Sequence, residues 1–124
     1  MYRLLFSVMV LLLAVSPASA DSGKKLTNAE LKELTSNMLF TAGYSTGFNV
    51  SYHVTWFKDG TREVYWNNGV SGHVDKGKWW LKDDTVCILN DSWTVERCSE
   101  WRKNGDRIET WGKAAMNGYF YILR

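Results

Sequence analysis

GKWWLKDDTVC, residues 77–87, sets two tryptophans side by side, then two aspartates, then the first of only two cysteines in the chain. Neighbours on a strand point to opposite faces, so Trp79 and Trp80 cannot share one core. A tight turn at Asp83-Asp84 sets Leu81 opposite Val86 and Trp79 opposite Ile88, all apolar and all on one face. Trp79 is therefore expected in the core. Trp80 then points outward, directly across from Cys87.

The same register test extends along the chain. In FNVSYHVTWF, residues 48–57, the apolar set is Phe48, Val50, Tyr52, Val54 and Trp56. A three-residue Lys58-Asp59-Gly60 loop, with Gly60 left-handed, sets Val54 opposite Val64 and Tyr52 opposite Trp66. A two-residue loop would oppose Trp56 to Glu63 and mix the faces. Asn67-Asn68-Gly69 pairs Trp66 with Val70, and a Lys76-Gly77 turn pairs Val74 with Trp79. Asn104-Gly105 pairs Trp101 with Ile108, and Asn117-Gly118 pairs Ala114 with Tyr121. With a connection near Ser92-Trp93, seven hairpins link about eight short strands. The fold class is mainly β: an up-and-down antiparallel meander closed as a small barrel, with a β-sandwich as the alternative. So many large aromatics facing inward predict a filled interior rather than a roomy cavity.

Ahead of the strands, LTNAELKELTSNML is the single helix signal, predicting a helix at about residues 27–39. Thr27 with Glu30 fits a capping box, and Leu31, Leu34 and Met38 recur at helical spacing. Further upstream, Arg3, the apolar run Leu4–Val15 and a small-x-small end at Ala20 read as a secretory signal over residues 1–20. That run is too short to span a bilayer as a helix, so no membrane span is expected after cleavage. Residues 21–124 then form a single β-rich domain, periplasmic or secreted.

Two cysteines in an oxidising compartment predict a Cys87–Cys98 disulfide, worth about 2–3 kcal/mol for so short a loop. This pairing, with the Asn104-Gly105 register, places Trp80, the disulfide and Trp111 in one row on the outer face. It also turns Arg97 inward, as a local bulge or a buried charge in need of a partner. The predicted helix is expected to lie over that row, and plugging one barrel mouth is the alternative.

The formal net charge of +2 comes without a basic stripe, which speaks against nucleic acid as partner. His53 is expected opposite Tyr65, and His73 opposite Glu63, with no third metal ligand at a useful spacing. The aspartates fall in or beside turns, and no nucleophile elbow or phosphate loop occurs. No metal, cofactor or catalytic residue is assigned, and the chain is read as a non-enzyme. Trp80, Trp111 and Tyr65 are the candidate surface-binding residues, since exposed aromatic rings grip sugars or proteins with little entropy loss.

LTNAELKEL, TWFKDGT, GKWWLKDDTVC, Cys98 and NGDRIE together resemble a family of small exported proteobacterial proteins built on a domain of unknown function. That resemblance implies an exported, β-rich protein and no activity. The expected function is non-catalytic binding of a cell-envelope glycan or a protein. A protease-inhibitor-like or stress-related envelope protein is the alternative, and a hydrolase with an unrecognised site the third.

Overall fold

Two hairpin turns that demand left-handed backbone adopt it. Asp83 and Asp84 both have positive φ (49° and 60°), and Gly60 has φ 89°, so the chain reverses within two and three residues respectively. The computed structural model describes residues 23–67 and 74–123. The expected signal segment, His73 and Val70, the expected partner of Trp66, lie outside the described residues.

The chain order is β1 (Lys24–Lys25), α1 (Asn28–Leu34), β2 (Leu39–Ser45), β3 (Val50–Trp56), β4 (Thr61–Asn67), β5 (Val74–Lys82), β6 (Thr85–Asn90), β7 (Arg97–Asn104), β8 (Arg107–Trp111) and β9 (Met116–Ile122). Strands β2 to β9 pair antiparallel in sequence order, and β2 also pairs with β9, which closes an eight-stranded barrel. The two-residue β1 adds to β7 at Arg102 and Lys103, beyond the stretch of β7 that β6 covers. Closure removes the free edges that a sandwich would keep.

The registers at the two stringent turns match expectation: Val54 opposes Val64, Tyr52 opposes Trp66, Trp79 opposes Ile88 and Trp80 opposes Cys87. Cys87 also opposes Cys98 at disulfide distance, with the sulfurs 2.08 Å apart. Four other expectations are corrected. Lys76-Gly77 is no turn, because β5 runs unbroken from Val74 to Lys82 and sets Glu63 against Lys76. Gly77 sits inside it because a side chain there would strike β6: an added Cβ would lie 2.6 Å from the Leu89 carbonyl oxygen. Asn117-Gly118 likewise lies within β9, and the reversal occurs earlier, where Gly112 N–H donates to the Ala115 carbonyl. At the next hairpin Gly105 (φ 62°) takes the first central position, so Asn104 pairs with Arg107 and Trp101 faces Thr110 rather than Ile108. Finally, the strands β6 and β7 are joined by residues 91–96 rather than by a tight Ser92-Trp93 turn.

The helix is shorter than expected. Thr27 and Glu30 do form the capping box, but Thr35 Oγ1 donates back to the Leu31 carbonyl at 2.7 Å and Ser36 Oγ to Glu33, ending the helix by local side-chain competition. Met38 is 57 % exposed, and the next residue already begins β2. The helix does not cover the outer row; it plugs one end of the barrel. Leu31 is fully buried and joins Leu26, Leu39, Trp56 and Trp101 in the core cluster. Asn28 N–H donates to Asp84 Oδ1 (2.6 Å) and Asp84 N–H to Asn28 Oδ1 (2.9 Å), clamping the helix to the β5–β6 turn. Burying a leucine in this way contributes about 2 kcal/mol.

Candidate functional site

With one end stoppered by α1, the interior stays open toward the other. A cavity of about 220 Å³ occupies the upper half of the barrel, which overturns the expectation of a filled interior. Alternation puts its walls there. Tyr52 and Trp66 face each other across β3 and β4 with ring centroids 5.4 Å apart. Trp56, Trp101 and Phe120 form the floor as a chain of edge-to-face contacts at 5.3 and 4.8 Å.

Several polar side chains of the lining engage partners within the protein. Trp56 Nε1 donates to Thr41 Oγ1 at 3.0 Å, and Trp66 Nε1 to Asp75 Oδ2 at 2.7 Å. Thr110 Oγ1 donates to Asn117 Oδ1, while Asn117 Nδ2 donates to Ser99 at 3.4 Å. Arg62 differs. It projects inward opposite Trp56, is only 4 % exposed, and holds its guanidinium 4.5 Å above the Trp56 ring. Its Nε and Nη1 are buried without a hydrogen-bond partner. Burial pushes its pKa down to about 10, while Tyr52 and Asp75 pull the other way, so the group is still a cation at neutral pH. Burial in turn raises the Tyr52 phenol above its usual range, opposed by Arg62.

Arg97 stands at the mouth. It faces inward opposite Ile88, as its register predicted, yet it is exposed. Its guanidinium lies between two rings, 4.8 Å from Trp93 and 5.1 Å from Phe48. The charge is therefore neither bulged out nor buried; it is stacked. No carboxylate is among the residues that line this cavity.

The outer face holds the residues singled out from the sequence, but not as one row. Trp80 is half-buried beside Cys87. Trp111 opposes Glu100 instead of Cys98, because the β7–β8 register is displaced by two residues. Its ring lies 4.2 Å under the Arg102 guanidinium, and its Nε1 donates to Glu109 at 3.2 Å. Glu109 itself is buried; desolvation pushes its carboxyl pKa up, but hydrogen bonds from Arg107, Trp111 and Asn104 bring it below the usual value. Trp111 thus caps an ion-pair cluster. Tyr65 is exposed, opposite His53, and its hydroxyl donates to Glu63 at 3.0 Å, which raises the phenol's pKa. His53 stacks on Phe40. Among the described residues no cluster of histidine, cysteine or carboxylate suits a metal ion, and no helix is long and apolar enough to cross a membrane.

Sequence reasoning missed Arg62, although the signal was present. The register that opposes Val54 to Val64 also opposes Trp56 to Arg62, on the inward face. No protein-family model matches the chain, and neither a curated protein nor a solved structure matches it.

Proposed function

We propose that this chain is an exported, non-catalytic binding protein that takes a small, mainly apolar ligand into the barrel through the mouth opposite the helix. The carrying observation is the 220 Å³ cavity walled by Tyr52, Trp56, Trp66, Trp101 and Phe120. A dry cavity of about 150 Å³ holds a benzene ring, so this one suits a molecule of one or two rings. The N-terminal signal pattern and the disulfide support export. Binding of an envelope glycan or protein by an outer aromatic row has less support, since Trp111 is committed to Glu109 and Arg102 and does not continue the line from Trp80.

The test is a titration of the oxidised protein with 2-naphthamide, a neutral two-ring probe, followed by amide NMR shifts and calorimetry. Binding is expected to move the signals of Tyr52, Trp101 and Phe120 and to vanish in Ser99→Trp, which fills the lining from β7. Shifts confined to the outer face, or unaffected by that substitution, would overturn the reading.

A further inference from the structure

The cavity reading leaves the polar end of the ligand open, and Arg62 answers it. Resting on that reading, we infer that the ligand is a small organic acid of one or two rings, bound with its carboxylate on Arg62 and its body against the aromatic walls. Among the described residues, buried side-chain atoms without a hydrogen-bond partner occur only on Arg62 and Asn90. These two share one cross-strand row, Arg62–Gly77–Asn90, across β4, β5 and β6. Asn90 lies outside the cavity lining, against the Gly77 backbone, whereas Arg62 lines the cavity. Arg62 is a buried cation in a lining without carboxylates, the nearby Asp75 being held by Trp66 Nε1, and such a cation is complementary to an anion.

Arrangement as well as charge supports an acid. The indole N–H groups of Trp56 and Trp66 are engaged by Thr41 and Asp75, so those two rings offer apolar faces. Arg62 sits against Trp56 near the floor, and Arg97 at the rim is held between Phe48 and Trp93. An incoming anion thus meets one cation at the mouth and a second, less solvated one inside. A charge-assisted pair made in that water-poor position is stronger than the same pair at a surface.

The experiment compares 2-naphthoate with 2-naphthamide, which share a body and differ in charge, on the wild type, Arg62→Met and Arg62→Lys at neutral pH. Wild type is expected to bind the acid at least tenfold more tightly than the amide. Arg62→Met should bring the two to equal affinity by weakening the acid, and Arg62→Lys should keep part of the preference. Equal binding of both probes by wild type would overturn the acid inference while leaving the cavity reading intact. Binding of neither would remove the cavity reading itself. An acid preference surviving in Arg62→Met would overturn the assignment to Arg62 and move it to Arg97. Should Arg62→Met fail to fold, the wild-type pair and Arg62→Lys still decide the matter.

Discussion

Replacing Arg62 with methionine should make the protein more stable. Burial pushes the pKa of the Arg62 guanidinium down to about 10, which disfavours the cation in the folded state by about 3 kcal/mol. Two of its nitrogens have no hydrogen-bond partner, in line with a desolvation cost that partners do not repay. Against this stands the contact with the Trp56 ring at 4.5 Å, worth about 1–2 kcal/mol when desolvated. Methionine keeps part of it through sulfur–aromatic contact and covers the same apolar wall. The net expectation is a gain of about 1–2 kcal/mol, or a Tm rise of about 5–10 °C for a domain of this size, read by calorimetry and urea unfolding. The pH dependence has a definite sign. Above about pH 10 the unfolded chain holds the Arg62 proton more often than the folded one, so wild-type stability gains from this group as pH rises. Below about pH 10 both states are protonated and the penalty is complete. The gap between Arg62→Met and wild type should therefore stay constant from pH 6 to 9 and narrow above 10. A variant that loses more than about 1 kcal/mol at pH 7 would refute the reasoning and make Arg62 a structural strut.

Two further expectations concern the scaffold. The Cys87–Cys98 bond spans 11 residues, so its removal in a double alanine variant should cost about 3 kcal/mol through the unfolded chain, lowering Tm by about 10–15 °C; a loss below about 1 kcal/mol would mean that the unfolded state is already constrained there. Trp79→Ala should cost about 3–4 kcal/mol, because Trp79 meets Trp56 edge-on at 6.2 Å and its Nε1 donates to the Phe57 and Thr61 carbonyls at 2.9 and 3.1 Å. Trp80→Ala should cost about 1 kcal/mol, and equal losses in urea unfolding would mean that the two faces are exchanged.

The parts of the fold legible in the sequence are those where one residue type is demanded by backbone sterics. Asp83-Asp84 and Gly60 adopt left-handed conformations that few side chains tolerate, so turn chemistry and apolar alternation agree and the register follows. Misreadings cluster at glycines with another task. Gly77 and Gly118 lie in strands where an added Cβ would come within 2.6 and 2.8 Å of a neighbouring backbone oxygen. Sequence shows the glycine but not whether it serves a turn or a close approach. Strand β2 went unread for a related reason: its inward residues after Leu39 are Thr41 and Gly43, too small or polar to make an apolar alternation, while Phe40, Ala42 and Tyr44 take the other face. Missing β2 also lengthened the predicted helix, since Met38 and Leu39 read as its last turn. The candidate site suffered most. A cavity is a deficit of volume among side chains that all look like core, and no periodicity reports it.

The two ends of the barrel then acquire opposite physical roles. At the helix end, leucines fill the space and the reciprocal Asn28–Asp84 bonds satisfy the polar groups; this end is built for stability. Above those leucines the barrel leaves a cavity and sets a buried cation, Arg62, against Trp56 at its floor, where Nε and Nη1 have no hydrogen-bond partner. A chain under pressure for stability alone has simple routes to remove that defect. Its presence beside open space is the pattern expected of a site, where local rules are broken and the loss is repaid when a ligand arrives. Two measurements on one variant are therefore tied: Arg62→Met should be at once the more stable protein and the poorer binder of acids. Increased stability with unchanged acid binding would leave Arg62 an unexplained defect, and decreased stability with lost binding would leave the two effects inseparable from unfolding. Only the opposed pair of results identifies a cation kept for its ligand.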